Sequence, residues 1–517
     1  MIETRETFCR FCHAACPLHV DVEINSTGAR TQEIVIAVRG IMEDPLFEGY
    51  TCIKGRQLAD QHHAPDRLRN PLQRNDDGSF TEVTSKDALD DIANRVQAII
   101  AAHGPRAVAT YTGTGAFQNS ISMPVTQAFH SGIGSPSFYT SITIDQPAHL
   151  TSRLRMGAWE AGWQNFRDAD VLLAIGYNPL VSSYAPAGGL QGTNPFVRLR
   201  RAKERGMKLI VIDPRRSELA SFADLWLPVK PGEDPTLLAG LINVILQESL
   251  YDKDFCDRWV DQLDDLRSAV APFNPEMVAT RCEVEAADVL TAARMFAAGP
   301  RGTAGTGTGP NMAAHSTLME HLALTLNAIC GRVNREGDVL ESGNFLYPGD
   351  TRRAQVIAPS DPAPGTPHRV RGLKGMPGEM LTNALAEEIL EPGEGKVRCL
   401  FVCGGNPVVA FPDQLKTIAA MKDLELLVVI DHRMTPTAEL AHYVIPPRLE
   451  LERADVPTVM DRRFASAYVS YTPAVLQTDG DLLSEWEVFA GLAQRLGTRI
   501  PLPGGDLPLD GSANDDM

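Results

Sequence analysis

The stretch CRFCHAACPLHV, Cys9 to Val20, sets three cysteines in C-x2-C-x3-C spacing, and the next cysteine, Cys52, stands in GYTCIKGRQ. Four chemistries compete for them. Cys9-Arg-Phe-Cys12-His13 fits the C-x-x-C-H of covalent haem attachment. That haem is attached outside the cytoplasm, and it leaves Cys16 and Cys52 unexplained. Zinc usually takes two C-x2-C pairs, whereas here one pair is followed by two singles. Free buried thiols would make the spacing a coincidence. Soft thiolates on a tight loop, closed by one distant thiolate, suit an iron–sulfur cube. The strand-like run TQEIVIAVRG between Cys16 and Cys52 is the element that returns Cys52 to the loop. The expectation is therefore a [4Fe–4S] cluster on Cys9, Cys12, Cys16 and Cys52. The remaining cysteines (Cys256, Cys282, Cys330, Cys399 and Cys403) show no ligand spacing and read as buried thiols.

A second chemistry repeats along the chain. DADVLLAIGYNP (168–179) and KLIVIDPRR (208–216) are apolar strands that end in tight polar turns, and GGNP (404–407) is a turn of the same kind. In open α/β sheets ligands sit at the carboxyl ends of the strands. Gly176 and Gly405 let a backbone approach a phosphate, and Asn178 and Asn406 offer an amide to a ligand edge. Pro179 stiffens the first turn. Asp213 can accept from a ribose hydroxyl or a guanine edge, with Arg215 two residues on. Each turn alone reads as a plain strand end; the repetition argues for cofactor binding. GTAGTGTGPNM (302–312) is Gly- and Thr-rich, but it is neither a P-loop nor a clean G-x-G-x-x-G fingerprint.

The positioning elements follow from periodicity and breakers. Helices are expected at 85–102, 120–132, 235–249 and 284–298, and strands at 106–112, 170–176, 208–213, 397–403 and 426–431. Strands alternating with helices define α/β units. The expected architecture is a small N-terminal iron–sulfur domain (1–70) followed by two interleaved, doubly wound α/β domains. One is discontinuous (71–150 and 376–500) and the other spans 151–350, with a Pro-rich crossover at 351–375 and a disordered tail at 501–517. A formal charge of −17 argues against nucleic acid and anionic membrane as partners. No apolar run reaches the ~18 residues of a membrane span. MIETRETFCR carries no secretory signal, so a cytoplasmic location is expected.

Taken in order, the cysteine motif, Cys52-Ile-Lys54-Gly55, PDRLRNPLQR (65–74) and the strand-turn segments form a set that continues through ADLWLPVKPGEDPTLLAGL (223–241), GGNPVVAFPD and LLVVIDHRMTPTAELAHYVIPP (426–447). This set resembles the molybdopterin-dependent oxidoreductases of the dimethyl sulfoxide reductase superfamily, and the resemblance covers nearly the whole chain. It implies a bis-molybdopterin guanine dinucleotide carrying molybdenum or tungsten, held at the turns already named. It places Gly232 and Asp234 at the guanine; read from the sequence alone, Asp234 is instead the N-cap of the 235–249 helix. Lys54 would lie between cluster and pterin, and otherwise reads as a solvated surface lysine.

The same resemblance locates the protein ligand to the metal in SITIDQPAH (141–149). No cysteine is present there. Asp145, a hard oxygen donor, is the best candidate, with Ser141 and Thr143 as substitutes, and His149 follows one turn on as a candidate proton carrier. Members of the superfamily usually continue into a β-barrel domain that helps clasp the pterins. Here that domain is expected to be supplied by a separate chain, truncated or lost. The implied activity is two-electron chemistry on a small substrate, with single electrons passed through the cluster to a redox partner protein. Two alternatives belong to other classes: an electron-transfer or structural subunit that keeps the fold without the metal pterin, and a non-redox hydratase.

Overall fold

The computed structural model describes residues 1–12, 14–27, 30–164, 166–181, 194–338, 340, 352–457 and 469–513. His13 and the last four tail residues lie outside the described residues. The chain forms two compact units. The first is assembled from Met1–Ile144, Ala363–Met460 and Val469–Met517, and the second is built chiefly from Asp145–Pro362.

The first unit opens with a three-stranded antiparallel sheet of β1 (Ile2–Phe8), β2 (Pro17–Thr27) and β3 (Arg30–Gly40). The cysteine loop joins β1 to β2. β3 leads back to Cys52 at the start of the short helix α1 (Ile53–Arg56). A larger sheet follows. Its strands are β4 (Leu72–Arg74), β5 (Phe80–Glu82), β6 (Val108–Thr112) and β7 (Phe138–Thr140).

The chain then passes into the second unit. Helix α2 (Pro147–Met156) precedes β8 (Val171–Ile175), β9 (Lys208–Ile212) and β10 (Leu225–Leu227). Helix α3 (Asp234–Gln247), β11 (Gly302–Thr306) and helix α4 (Ser316–Ile329) complete it. The four strands are parallel in the order β10-β9-β8-β11. Every residue of β8 is buried, as expected of a parallel strand covered on both faces. One face packs on α3, α4 and the helix Ala286–Ala298. The other packs on the helix Pro195–Glu204.

On its return the chain adds β12 (Cys399–Cys403), β13 (Leu426–Ile430) and β14 (Tyr443–Ile445) to the first unit. The sheet order becomes β5-β4-β14-β13-β12-β6-β7, with β14 through β7 parallel. Helices Ser85–His103, Ser122–Ile133 and Glu485–Leu496 cover one face, and Leu385–Leu390 and Gln414–Asp423 the other.

Two expectations are corrected. The tail is not wholly disordered: Pro501–Leu502 pairs with Gly505–Asp506, and Leu507 and Leu509 pack on the first unit's core. Its Gly and Pro residues make a hairpin turn, and its leucines have a core to reach. Helix α3 begins at Asp234, so the cap position belongs to Glu233. Among the described residues no helix is long and apolar enough to cross a membrane.

Candidate functional site

In the cysteine loop, Cys9 and Cys16 are buried and Cys12 and Cys52 half-buried. The Cys9 N–H donates to the Cys16 carbonyl at 2.8 Å and closes the loop. Gly55 lets α1 come close: a Cβ there would stand 3.4 Å from Cys9 Sγ. Burial is the main force raising the Cys9, Cys12 and Cys16 thiols, and neighbouring cysteines of the motif add to it in each case. Around Cys12 the added push comes from Cys52, and Lys54 pulls the other way. The Cys9, Cys12 and Cys16 thiols, raised in this way, resist ionising together unless a cation is present. Iron in a cluster would supply that charge and deprotonate the thiols that hold it. Among the described residues no three His, Cys, Asp or Glu side chains are gathered to hold a single metal ion. Lys54 itself is exposed.

Each doubly wound sheet has one point where the strand order reverses, and ligands of such folds bind at that switch point. In the first unit it lies between β6 and β12. The Gly113 N–H donates to Cys403 O at 2.8 Å and the Gly115 N–H to Gly404 O at 2.9 Å. A Cβ on Gly113 would stand 2.5 Å from Gly404 O and from Gly405 Cα. Gly404 has φ +59°. Asn406 Oδ1 accepts from Thr437 Oγ1 at 2.6 Å, which leaves its amide nitrogen without a partner among the described residues. Gly405 and Asn406 thus stand at the switch point. Gly113, Thr114 and Gly115 join them, although the sequence reading had passed them over; the GTG following the 106–112 strand was the available signal.

In the second unit the reversal lies between β8 and β11. The Gly307 N–H donates to Ile175 O at 2.9 Å. A Cβ on Gly307 would overlap Gly176 O and Tyr177 Cβ, and one on Gly176 would overlap the Pro310 ring. Gly176 has φ +60°. Asn178 Nδ2 donates to Glu218 Oε2 at 2.5 Å, and Arg215 Nη2 pairs with the same oxygen at 3.3 Å. Pro179 is buried in this turn. Asp213 accepts from the Arg215 N–H at 2.8 Å. Gly232 turns the chain at φ +90° ahead of Asp234. The Asp234 carboxyl is pushed up by burial and further by Asp213 and Glu233. Asp213 directly follows β9, and Asp234 opens α3.

Asp145 ends the helix Ile142–Asp145. It does not cap α2, because Gln146 holds that position without a side-chain bond. Burial raises the Asp145 carboxyl, against the pull of its own and the Gln146 backbone N–H. Gln146 Nε2 donates to Thr308 Oγ1 at 3.2 Å, so Asp145 borders the turn that packs on Gly176. Thr143 is committed elsewhere: it is buried and bonded to Thr382 Oγ1 at 2.9 Å. Ser141 Oγ lies 3.4 Å from Thr114 Oγ1. His149, half-buried, pairs through Nδ1 with Glu320 Oε2 at 3.3 Å. Glu320 was missed by the sequence reading, since one acidic residue in an apolar helix carries no spacing signal.

The thiol loop and the two glycine-lined switch points at the carboxyl ends of parallel strands are the features of a cofactor-binding α/β chain. Residues 67–495 match the molybdopterin oxidoreductase family and residues 2–64 match its Fe4S4 domain. The chain belongs to the molybdopterin oxidoreductase family. Its cofactors are a molybdopterin with molybdenum or tungsten and a 4Fe–4S cluster.

The chain is 26% identical to acetylene hydratase of Syntrophotalea acetylenica, covering 97% of this chain and 70% of the relative. It is 26% identical to the F420-dependent formate dehydrogenase subunit alpha of Methanocaldococcus jannaschii, covering 95% and 70%. It is also 26% identical to formate dehydrogenase H of Escherichia coli, covering 95% and 68%. The solved structure of acetylene hydratase from Pelobacter acetylenicus superposes with a TM-score of 0.75 at 23% identity, over 95% of this chain and 69% of that one. This last is a likeness of fold.

Proposed function

We propose that this chain is a catalytic subunit that performs two-electron chemistry on a small substrate at a molybdenum or tungsten bis-pterin guanine dinucleotide centre. The observation that carries the reading is the pair of switch points, one per unit, each narrowed by interlocked glycines. Two such cradles in one chain match a cofactor with two nucleotide arms. When bound, the metal centre supplies the two-electron chemistry that amino-acid side chains lack.

The chain's own residues bind, orient and tune. Gly113, Gly404 and Gly405 hold one arm, and Gly176 and Gly307 the other, through backbone groups brought close by the missing Cβ atoms. Asp213 and Asp234 accept from the guanine or ribose of the second arm. Asn178 and Arg215 border that pocket, and Gly405 and Asn406 border the other. Asp145 ligates the metal, which turns the cost of its burial into an attraction. Cys9, Cys12, Cys16 and Cys52 hold the cluster, and Lys54 places a positive charge along the electron path. The partner is a redox protein that exchanges single electrons with this cluster.

A second reading, a hydratase without net redox chemistry, is favoured by the likeness to acetylene hydratase. Anaerobically purified protein assayed with formate plus an oxidising dye, thiosulfate plus a reduced dye, and acetylene without dye separates them. Dye-coupled turnover supports the oxidoreductase. Dye-independent loss of acetylene supports the hydratase. X-ray absorption at the metal edge then tests Asp145: Asp145→Cys should replace one oxygen neighbour by sulfur, and an unchanged first shell removes Asp145 from the ligand set.

A further inference from the structure

Glu320 is 1% exposed and sits in the apolar helix α4. Burial alone would raise its carboxyl. Contacts with His149, Thr306 and Asn311 outweigh burial and hold it below its ordinary value. The two oxygens divide the work. Oε1 accepts from Thr306 Oγ1 and from Asn311 Nδ2, the latter at 2.6 Å. Oε2 faces His149 Nδ1 at 3.3 Å. Asn311 Nδ2 also donates to Gly307 O at 3.0 Å, and Thr306 is the last residue of β11. A buried anion is thereby anchored to the switch-point strand and turn, and its remaining oxygen is turned to one imidazole nitrogen.

An ionised carboxylate only accepts, so the proton of the imidazole must reside on Nδ1. We propose that Glu320 is a positioning residue that fixes the tautomer of His149, leaving Nε2 as the proton-accepting atom at the second unit's site. The inference rests on the reading of that site as the reaction centre. When substrate loses a proton, the bond from the proton to substrate breaks as the Nε2–H bond forms, and its electron pair stays on the substrate. The imidazolium gains its second N–H while Glu320 stabilises the charge. Reversal returns the proton. The other charged groups on the packed elements are Arg153 and Arg155 on α2 and His321 on α4; the turn Thr308–Asn311 carries none.

The test is nitrogen NMR of the full chain labelled at histidine, purified without oxygen, with His149→Gln assigning the signal. The expected spectrum has His149 protonated at Nδ1 and bare at Nε2. Glu320→Ala should shift the tautomer ratio towards Nε2–H by about tenfold or more, the worth of a charge-assisted hydrogen bond. A wild-type His149 protonated at Nε2 overturns the proposal, as does an unchanged ratio in Glu320→Ala. Should that variant not fold, the wild-type spectrum decides alone. In metal-loaded chain that turns over formate, thiosulfate or acetylene, His149→Gln should lower kcat about 100-fold at unchanged metal content, with partial rescue by imidazole. Unchanged kcat removes the proton role. Loss of the catalytic reading, through absent metal or absent turnover, leaves the spectra as they are, so the two failures are distinguishable.

Discussion

Gly404→Ala is the most informative single change. Gly404 occupies the left-handed region at φ +59°, where a side chain costs about 1–2 kcal/mol. A Cβ there would also overlap the Ala116 backbone nitrogen and stand 2.7 Å from Gly115 C. Backbone cannot rotate away as a side-chain tip does, so the β6 and β12 loops must separate. Overpacking of this kind costs about 1–3 kcal/mol more. Gly497 provides the control, because it has φ +64° in the same unit and a Cβ there would meet nothing within 4 Å. Gly497→Ala should therefore show only the conformational cost. Urea unfolding of both variants should place Gly404→Ala about 1–3 kcal/mol below Gly497→Ala, and nucleotide release should fall only in Gly404→Ala. Equal destabilisation with equal nucleotide content would refute the close approach on which the switch-point site depends.

The remaining predictions follow from single environments. Gly307→Ala, whose Cβ would overlap Gly176 O, should lose bound nucleotide while the iron content of the cysteine loop is retained; loss of both would mean general unfolding. Cys12→Ser should lower bound iron from about four per chain towards zero and abolish the visible cluster absorption; retained absorption would take Cys12 out of the ligand set. Buried His130, whose Nε2 lies 2.7 Å from Thr110 Oγ1, is pushed down to about 4 because burial disfavours its charged form. The unfolded chain then binds the extra proton between about pH 6.5 and 4, so stability falls as pH drops through that window. From pH 7 to 5 this amounts to about 2 kcal/mol. Urea midpoints at both values should show a shallower pH dependence in His130→Gln, and parallel dependences would contradict the assignment.

Much of the scaffold was legible because buried parallel strands are continuous apolar runs: VLLAI and LLVVI announce themselves, and the turns after them carry Gly, Asn and Asp. The cysteines proposed for the cluster stood out by spacing alone. β11 was not, since Gly302–Thr306 reads GTAGT. Its composition follows from its neighbours: a Cβ on Gly302 would stand 2.6 Å from Val171 Cγ1, and one on Gly305 3.2 Å from the Tyr177 ring. Small residues are demanded by tertiary closeness that local propensity does not encode. The Gly113–Gly404 interlock joins residues nearly three hundred positions apart, and either glycine alone looks like an ordinary turn. Glu320 was invisible for the complementary reason, because its partners come from α2, β11 and the following turn.

The central claim is that this chain holds a metal bis-pterin through its two switch points and a cluster through its cysteine loop. Elemental analysis and guanine-nucleotide release on anaerobically purified protein test it most directly. The account predicts about four irons, one molybdenum or tungsten, and two guanine nucleotides per chain. Iron without molybdenum, tungsten or nucleotide would contradict the catalytic reading and leave an electron-transfer subunit, and zinc in place of iron would contradict the cluster itself.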